Sequence, residues 1–213
     1  MIHKVDYLSY TYYGDEDNRD HDWHPTHDYL RQHLPPYVKT DGEVSSAPHR
    51  LGFEFGIGID NHTYIWVSKV GLILIEHTGA GCDHLEARGL LLGIIQSRAD
   101  RVTRIDIATD ILCDVRPKDF VSQRNASRLS AHAHVYSESG ETEYVGSRKS
   151  ERTCKVYRYD GNHPRAKFLR IEYTYKRDDA KIIAHKLWET SVEQIALASG
   201  ERYQWQHEAW RSL

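Results

Sequence analysis

The sequence predicts an α+β fold, in which helices pack on one face of a largely antiparallel β-sheet. Several segments alternate in polarity with a period of two, as strands do. Neighbouring segments of this kind are separated by turn residues, which is typical of antiparallel hairpins. Helical segments stand between sets of strands and do not follow each strand in turn. That order disfavours a parallel Rossmann sheet, in which strands and helices alternate.

The first strand is predicted over Ile2–Tyr13, where the side chains alternate along the segment. The stretch 15–46 is rich in His, Pro and Asp, so we expect it to be an irregular polar insertion. Two β-like segments follow at residues 51–59 and 63–69. The pair Asp60-Asn61 between them is a strong hairpin signal.

A further strand is predicted over Leu72–His77, and the run Gly79-Ala80-Gly81 is expected to end it. Asp83 is predicted to begin the first helix. Its side chain can cap the free backbone N–H groups, and Glu86 three residues later completes a capping box. The helix has an apolar face formed by Leu85, Leu92 and Ile95.

Period two returns over Val102–Leu112 and places Arg104, Asp106 and Asp110 on one side of a strand. Pro117 suits the first turn of a second helix, which we expect to continue to about Leu129. Three strands are predicted after it: His132–Ser137, Glu141–Val145 and Thr153–Tyr159.

The last strand is predicted over Phe168–Lys176, after a turn at residues 160–164. Asp178 or Asp179 is then expected to cap a closing helix that runs through Leu197, with Gly200 beyond its end.

Composition indicates one globular domain over residues 1–213. Apolar residues make up 39% of the chain and charged residues 28%, with no Gly/Ser linker and no internal repeat. No apolar run has the length of a membrane crossing, and the first ten residues lack the pattern of a secretion signal. Three widely spaced cysteines suit a reducing compartment, so we expect a cytoplasmic protein without membrane partners.

The net charge of −3 is unusual for a protein that holds nucleic acid by electrostatics alone. The charges are unevenly distributed, however. Acidic residues concentrate between positions 15 and 28, whereas cations concentrate between positions 148 and 177. The sequence therefore predicts a polarised molecule with one cationic face.

Two segments carry an arginine followed two residues later by an acid. These are Arg104-Ile-Asp106 and Arg170-Ile-Glu172. If the two strands lie side by side, Asp106 and Glu172 meet, with Asp110 further along the first strand. Carboxylates on a strand form a rigid site for Mg²⁺ or Mn²⁺, which prefer oxygen ligands. The competing interpretation is an exposed face with salt bridges.

The stretch 140–160 combines a cationic loop with the strand that carries Tyr157 and Tyr159. A tyrosine oxygen can attack a phosphodiester when a metal or cations stabilise the charge on the phosphate. Tyrosine also favours sheets for structural reasons, and this chain has 14 of them.

Four ordered segments resemble motifs of one family: residues 102–110, 141–150, 155–160 and 168–176. They are similar to the replication initiation factor family (Rep_trans) of rolling-circle plasmids and filamentous phages, whose relatives include relaxases of conjugative elements. The resemblance implies a rolling-circle replication initiator that nicks and rejoins DNA at one site through a covalent 5′-phosphotyrosine intermediate. Its partners would be a single-stranded or hairpin origin and the host helicase and polymerase.

The resemblance also implies roles for single residues. Tyr157 would be the nucleophile, and Asp106, Asp110 and Glu172 would hold Mg²⁺ or Mn²⁺. Phosphate contacts are implied for Arg148, Lys149 and Arg170. With the neighbouring cations, the expected DNA-binding set is Arg104, Arg148, Lys149, Arg152, Lys155, Arg158, Arg170 and Lys176.

The chain departs from the family pattern beside the nucleophile. Lys155 replaces an arginine, and Arg158-Tyr159 replaces the Asp-Lys pair that follows the family tyrosine. Tyr159 is therefore a rival nucleophile. Two alternatives stay open: a DNA-binding regulator on the same fold that no longer cuts, and a conjugative relaxase with the same chemistry.

Histidines offer a different metal site. His132 and His134 match the His-x-His pattern of the wider rolling-circle endonuclease class, although 14 histidines make such a pair common by chance. His77, beside the glycine run, is a single candidate ligand or a structural histidine with satisfied hydrogen bonds.

Overall fold

A computed structural model describes residues 1–13, 44–46, 50–59, 62–68, 72–123, 132–137, 140–147, 149–159 and 164–211. Most of the predicted polar insertion, the Asp60-Asn61 turn and the end of the helix predicted to reach Leu129 lie outside these residues. The chain forms two compact units, one of residues 6–104 and one of residues 1–5 with 105–213. The prediction of one domain over residues 1–213 stays a prediction.

The unit of residues 6–104 contains a sheet in the order β2-β3-β4-β5-β1. Its strands are β1 (Ile2–Tyr13), β2 (Val44–Ser46), β3 (Phe55–Ile59), β4 (Thr63–Val67) and β5 (Leu72–His77), with the first residues of β1 belonging to the other unit. All four pairings are antiparallel. The pairing of Ile59 with Thr63 confirms the predicted hairpin.

The first helix begins earlier than predicted. Helix α1 covers Gly79–Ala87, with Thr78 rather than Asp83 at its N-cap. The glycines are needed because a Cβ on Gly79 would lie 2.8 Å from Oδ1 of Asp6, and one on Gly81 would lie 2.7 Å from the carbonyl oxygen of His62. They therefore permit close packing at the start of a helix and do not form a turn.

The predicted apolar face belongs to two helices instead of one. Helix α2 covers Leu91–Ser97, and Gly89 between α1 and α2 adopts a φ of +69°, which ends α1. A 3₁₀ turn over Ala99–Arg101 leads into β6.

The second unit contains a sheet in the order β6-β10-β9-β8-β7. Its strands are β6 (Val102–Leu112), β7 (His132–Ser137), β8 (Gly140–Val145), β9 (Arg152–Tyr159) and β10 (Phe168–Lys176), the first three residues of β6 belonging to the other unit. The pairings β7–β8, β8–β9 and β9–β10 are antiparallel. The predicted α+β class with a largely antiparallel sheet is confirmed.

Helices of this unit are α3 (Pro117–Ser122), α4 (Arg177–Lys186), α5 (Val192–Tyr203) and α6 (Glu208–Arg211). The prediction of one closing helix was wrong, since α5 begins anew at Ser191, whose side chain forms a capping box with Gln194. Gly200 lies inside α5 and not beyond its end. It is buried there against Trp210, and a Cβ on Gly200 would overlap the indole ring.

One face of this sheet forms the core with the helices. Helix α3 contacts β8 and β9, and α4 contacts β10. Tyr173 is buried on β10, and its hydroxyl accepts a hydrogen bond of 2.8 Å from Nε1 of Trp205, whose ring stacks on Tyr203. Within the described part of the chain, every helix is too short or too polar to span a membrane.

Candidate functional site

The register of β9 and β10 decides which side chains share a face of the sheet. Arg170 lies opposite Tyr157, and Glu172 lies opposite Lys155. Because directly paired residues project to the same side, these four side chains share one face. Val156 and Ile171 form the next pair and project to the other face, which the helices cover. The candidate site therefore lies on the face opposite the helices.

Glu172 is the centre of this site. Its side chain is only 5% exposed, and its Oε2 atom accepts a hydrogen bond of 3.2 Å from the Tyr157 hydroxyl. Its Oε1 atom lies 2.5 Å from Nζ of Lys155. Burial raises the pKa of Glu172, and the neighbouring carboxyl of Asp106, which shares a hydrogen bond with it, raises it further, while Lys155 opposes the rise. The balance of these effects favours the protonated form of Glu172.

Tyr157 is held as a neutral phenol in this arrangement. Burial raises the pKa of its hydroxyl above the usual 10, and the charge of Glu172 adds to this, while Arg170 opposes it. The ring of Tyr159 lies edge-on at 5.4 Å between centroids, and Nζ of Lys155 lies 5.6 Å from the Tyr157 ring centroid. Attack by Tyr157 therefore requires a base, and the Glu172 carboxylate is within hydrogen-bond distance.

Asp110 and Arg170 form a separate buried pair. Nε of Arg170 donates to Oδ1 of Asp110 at 2.6 Å, and Nη2 donates to Oδ2 at the same distance. Arg170 is 2% exposed and Asp110 is 6% exposed. Both oxygens of Asp110 are thus used by the guanidinium, in the bidentate geometry that arginine favours.

The donor set nevertheless fits a divalent cation. Asp106 and Glu172 face each other with hard oxygen atoms, and Mg²⁺ is commonly held by one or two carboxylates while phosphates and waters complete its shell. Asp110 lies on the same strand as Asp106 but gives its oxygens to Arg170. We therefore take Asp106 and Glu172 as the residues that could hold Mg²⁺ or Mn²⁺.

Most of the cations expected to bind DNA have partners within the protein. Arg152 donates to Asp179. Arg158 projects to the helix-covered face, where it donates to the carbonyl oxygens of Cys113 and, at 3.0 Å, Val115.

Four cations of the expected set remain, and the structure describes three of them. Arg104 stacks over the ring of Tyr7, with Cζ 4.2 Å from the centroid, in the unit of residues 6–104. The backbone N–H of Lys176 donates to the carbonyl oxygen of Glu151 at 2.8 Å. Lys149 is exposed in the loop before β9, and Arg148 lies outside the described residues.

His134 belongs to a different cluster. Its Nδ1 atom lies 2.5 Å from Oε1 of Glu143 and 3.9 Å from Oε1 of Glu141. Among the described residues, these form the one group of three or more His, Cys, Asp or Glu side chains whose ligand atoms lie within 4.8 Å of one another. Glu143 pairs with Val156, so the cluster lies on the face of the sheet opposite Tyr157.

His77 has the contacts of a structural histidine. Its Nδ1 atom hydrogen-bonds with the Thr63 hydroxyl at 2.9 Å, and its Nε2 atom with the Tyr10 hydroxyl at 3.4 Å. Burial lowers the pKa of His77 to about 4, so the ring is neutral near pH 7.

Two acidic partners of this unit were not singled out from the sequence. Glu143 is fully buried, and Asp179, expected only as a helix cap, pairs with Arg152. Glu143 has the same parity along β8 as Val145, which is buried, so the alternation of β8 contained the signal for its burial. No comparable sequence signal links Asp179 to Arg152, because they lie on different elements.

Comparison with known proteins identifies the fold. No protein-family model and no curated protein matches the chain, whereas nine chains of solved structures do. One is a rolling circle replication initiator protein from Geobacillus stearothermophilus, with a TM-score of 0.69 and 16% sequence identity. The match covers 99% of this chain and 94% of that one. This chain therefore shares the fold of a rolling circle replication initiator protein.

Proposed function

We propose that this protein initiates rolling-circle replication by nicking DNA with a tyrosine nucleophile. The observation that carries the proposal is the 3.2 Å hydrogen bond from Tyr157 to Glu172, which is itself buried between Asp106 and Lys155. The shared fold with a rolling circle replication initiator protein supports the same class of activity.

In the proposed step, the Tyr157 hydroxyl gives its proton to the Glu172 carboxylate while its oxygen attacks the phosphorus of the scissile phosphodiester. The bond from phosphorus to the 3′ oxygen breaks. The ammonium of Lys155, next to Glu172, supplies a proton to that leaving oxygen. The products are a 5′-phosphotyrosine link and a free 3′-OH, which a host polymerase could extend.

Asp106 and Glu172 would hold the divalent cation, which would neutralise charge on the phosphate. Arg170 would contribute positive charge beside Tyr157, since it lies opposite this residue and already opposes the rise of its pKa. Asp110 would fix the direction of the Arg170 guanidinium through its two hydrogen bonds.

The substrate would be single-stranded or hairpin origin DNA in the cytoplasm, with a host helicase acting after the nick. Lys149, exposed in the loop that precedes β9, would contact the strand near the nucleophile. The DNA-binding roles of Arg104, Arg148, Arg152, Lys155, Arg158 and Lys176 stay predictions.

A covalent adduct tests the nucleophile. The wild-type protein, incubated with Mn²⁺ and a single-stranded oligonucleotide from its own origin, is expected to form a protein–DNA band that survives denaturation. Tyr157→Phe should abolish the band, whereas Tyr159→Phe, on the same strand and face, should keep it. An adduct that persists in Tyr157→Phe and disappears in Tyr159→Phe would assign the nucleophile to Tyr159 instead.

A second candidate is a DNA-binding regulator that does not cut. It is favoured by Tyr159 at the position of the family lysine, where a cation beside the nucleophile is missing. Salt-sensitive DNA binding without an adduct under any metal would support this function. A conjugative relaxase would form the same adduct on a transfer origin, so the DNA that is cut separates it from an initiator.

A further inference from the structure

A cavity of about 330 Å³ lies in the unit of residues 105–213, between helices α4 and α5 and strands β9 and β10. Tyr173 and Tyr175 reach it from β10, on the side of the sheet that the helices cover. Because Tyr157 projects to the other side, this cavity is separate from the proposed nicking site. Its volume suits a small ligand, near the lower limit of about 300 Å³ for ligand pockets.

The interior of the cavity joins apolar walls to hydroxyl groups. Ile183 of α4 and Ile195 of α5 are buried and line it. The Tyr175 hydroxyl hydrogen-bonds with Ser199, and Tyr203 lies beside them. A ligand with a flat, largely apolar body and some polar edges would match such walls.

The charges that line the cavity are all positive. Arg152, Lys186 and Arg202 line it. Among the described residues that line the cavity, there is no Asp or Glu. Burial raises the pKa of Tyr175 and of Tyr203, and the charges of Arg202 and Arg152 oppose both rises. The cavity therefore offers positive charge to a ligand.

Arg152 is already paired within the protein, since one of its terminal nitrogens donates to Asp179. Lys186 and Arg202 are the other two cations that line the cavity. The oxygens of a phosphate group would meet the charges of Lys186 and Arg202.

We propose that this cavity binds a nucleoside monophosphate, with the phosphate held by Lys186 and Arg202. The base and sugar lie against the isoleucines and tyrosines of the walls. The site is independent of the nicking chemistry, so the failure of either proposal leaves the other standing. The nucleotide has two possible sources, a free nucleotide and the phosphorylated end of a DNA strand.

Calorimetric titration of the full chain with deoxyadenosine monophosphate, in buffer with a chelator, tests this site. We expect saturable binding that weakens about tenfold or more in Lys186→Gln and in Arg202→Gln, since each variant loses a charge-assisted phosphate contact. Lys181→Gln is the matched control, because Lys181 is on the same helix as Lys186, pairs with Asp178 and does not line the cavity. Tyr157→Phe should also bind like the wild type.

Two comparisons make the outcome decisive. Deoxyadenosine should bind at least about tenfold more weakly than its monophosphate, because it lacks the charged group. If inorganic phosphate binds as tightly as the nucleotide, or if Lys186→Gln and Arg202→Gln bind like the wild type, the proposal is overturned. Competition by a 5′-phosphorylated single strand would identify a DNA end as the source, and no competition would identify the free nucleotide.

Discussion

The carboxylate of Glu172 contacts Tyr157, Lys155 and Asp106 at once, within a nearly solvent-free environment. A buried acid is stable only when charge partners or a proton compensate for lost hydration. Here Lys155 favours the ionised acid, whereas burial and Asp106 favour the protonated one. This balance suits the proton acceptor that the proposed step requires at Glu172.

The raised pKa of Glu172 predicts how stability depends on pH. The folded protein binds a proton at this site more tightly than the unfolded chain does, so this contribution is complete below the unfolded value of about 4.5. It declines as the pH rises through the folded pKa. Between pH 4.5 and the folded pKa, the free energy of unfolding of Glu172→Gln should therefore increase relative to that of the wild type. Urea unfolding at several pH values measures this difference.

Glu189→Gln provides the control for that series, because Glu189 is exposed and far along the chain from the site. Its difference from the wild type should stay constant with pH.

The pair of Asp110 and Arg170 predicts a large effect on stability. Asp110→Asn removes the charge partner of a buried guanidinium, which commonly costs about 3–5 kcal/mol. Asp119→Asn is the matched control: its partner Arg116 is also an arginine, but that pair is exposed, so no measurable loss is expected. Urea unfolding of the two variants measures both effects. If Asp110→Asn loses little stability, Arg170 does not depend on Asp110, and the Asp110 oxygens would be available to a metal.

Helix α5 depends on a glycine for its packing. Gly200→Ala would place a Cβ inside the ring of Trp210, so the helix or the C-terminal segment must shift, at a cost of about 1–3 kcal/mol. Gly93→Ala in α2 is the opposite case, because no atom lies within 4 Å of the added Cβ and φ is not positive. We expect it to stabilise the protein by about 0.5–1 kcal/mol. Unfolding followed by tryptophan fluorescence compares the two.

Strands were predicted more accurately than helices, and the glycines explain much of the difference. The predicted bounds of β1, β5, β6 and β10 match the observed ones, because segments rich in β-branched and aromatic residues indicate strands even where both faces are buried. Gly79 and Gly81 were predicted to end a strand, and Gly200 was predicted to lie beyond the end of a helix. Each lies inside a helix, where a neighbouring group leaves no room for a Cβ. Tertiary packing decides which group becomes that neighbour, so the local sequence around each glycine does not reveal it.

The candidate site could be predicted only in part, because contacts between distant segments depend on tertiary packing. Parity placed Asp106 and Glu172 on matching faces of two strands, and the structure brings them together. Parity could not separate Asp110 from Asp106, since both have the same alternation along β6. The alignment of β10 with β6 decides that Arg170 meets Asp110, and a register between distant segments cannot be deduced from either segment alone.

For the molecule as a whole, the net charge of −3 means that any affinity for DNA must come from a local group of cations. Binding to single-stranded origin DNA should therefore weaken steeply with salt. Lys149→Gln should reduce the slope of log K against log salt by about 0.7 if Lys149 contacts one phosphate. Lys118→Gln, an exposed cation on α3, should leave the slope unchanged. Filter binding at several salt concentrations measures the slopes.

The position of β9 within its sheet has a consequence for local unfolding. β9 is hydrogen-bonded to β8 on one side and to β10 on the other, whereas β7 pairs only with β8 among the described strands. Tyr136 on β7 is 80% exposed, so little apolar packing holds that edge. Fraying should therefore begin at β7 and spare Tyr157. Amide protons of β7 should exchange with solvent long before those of β9 do.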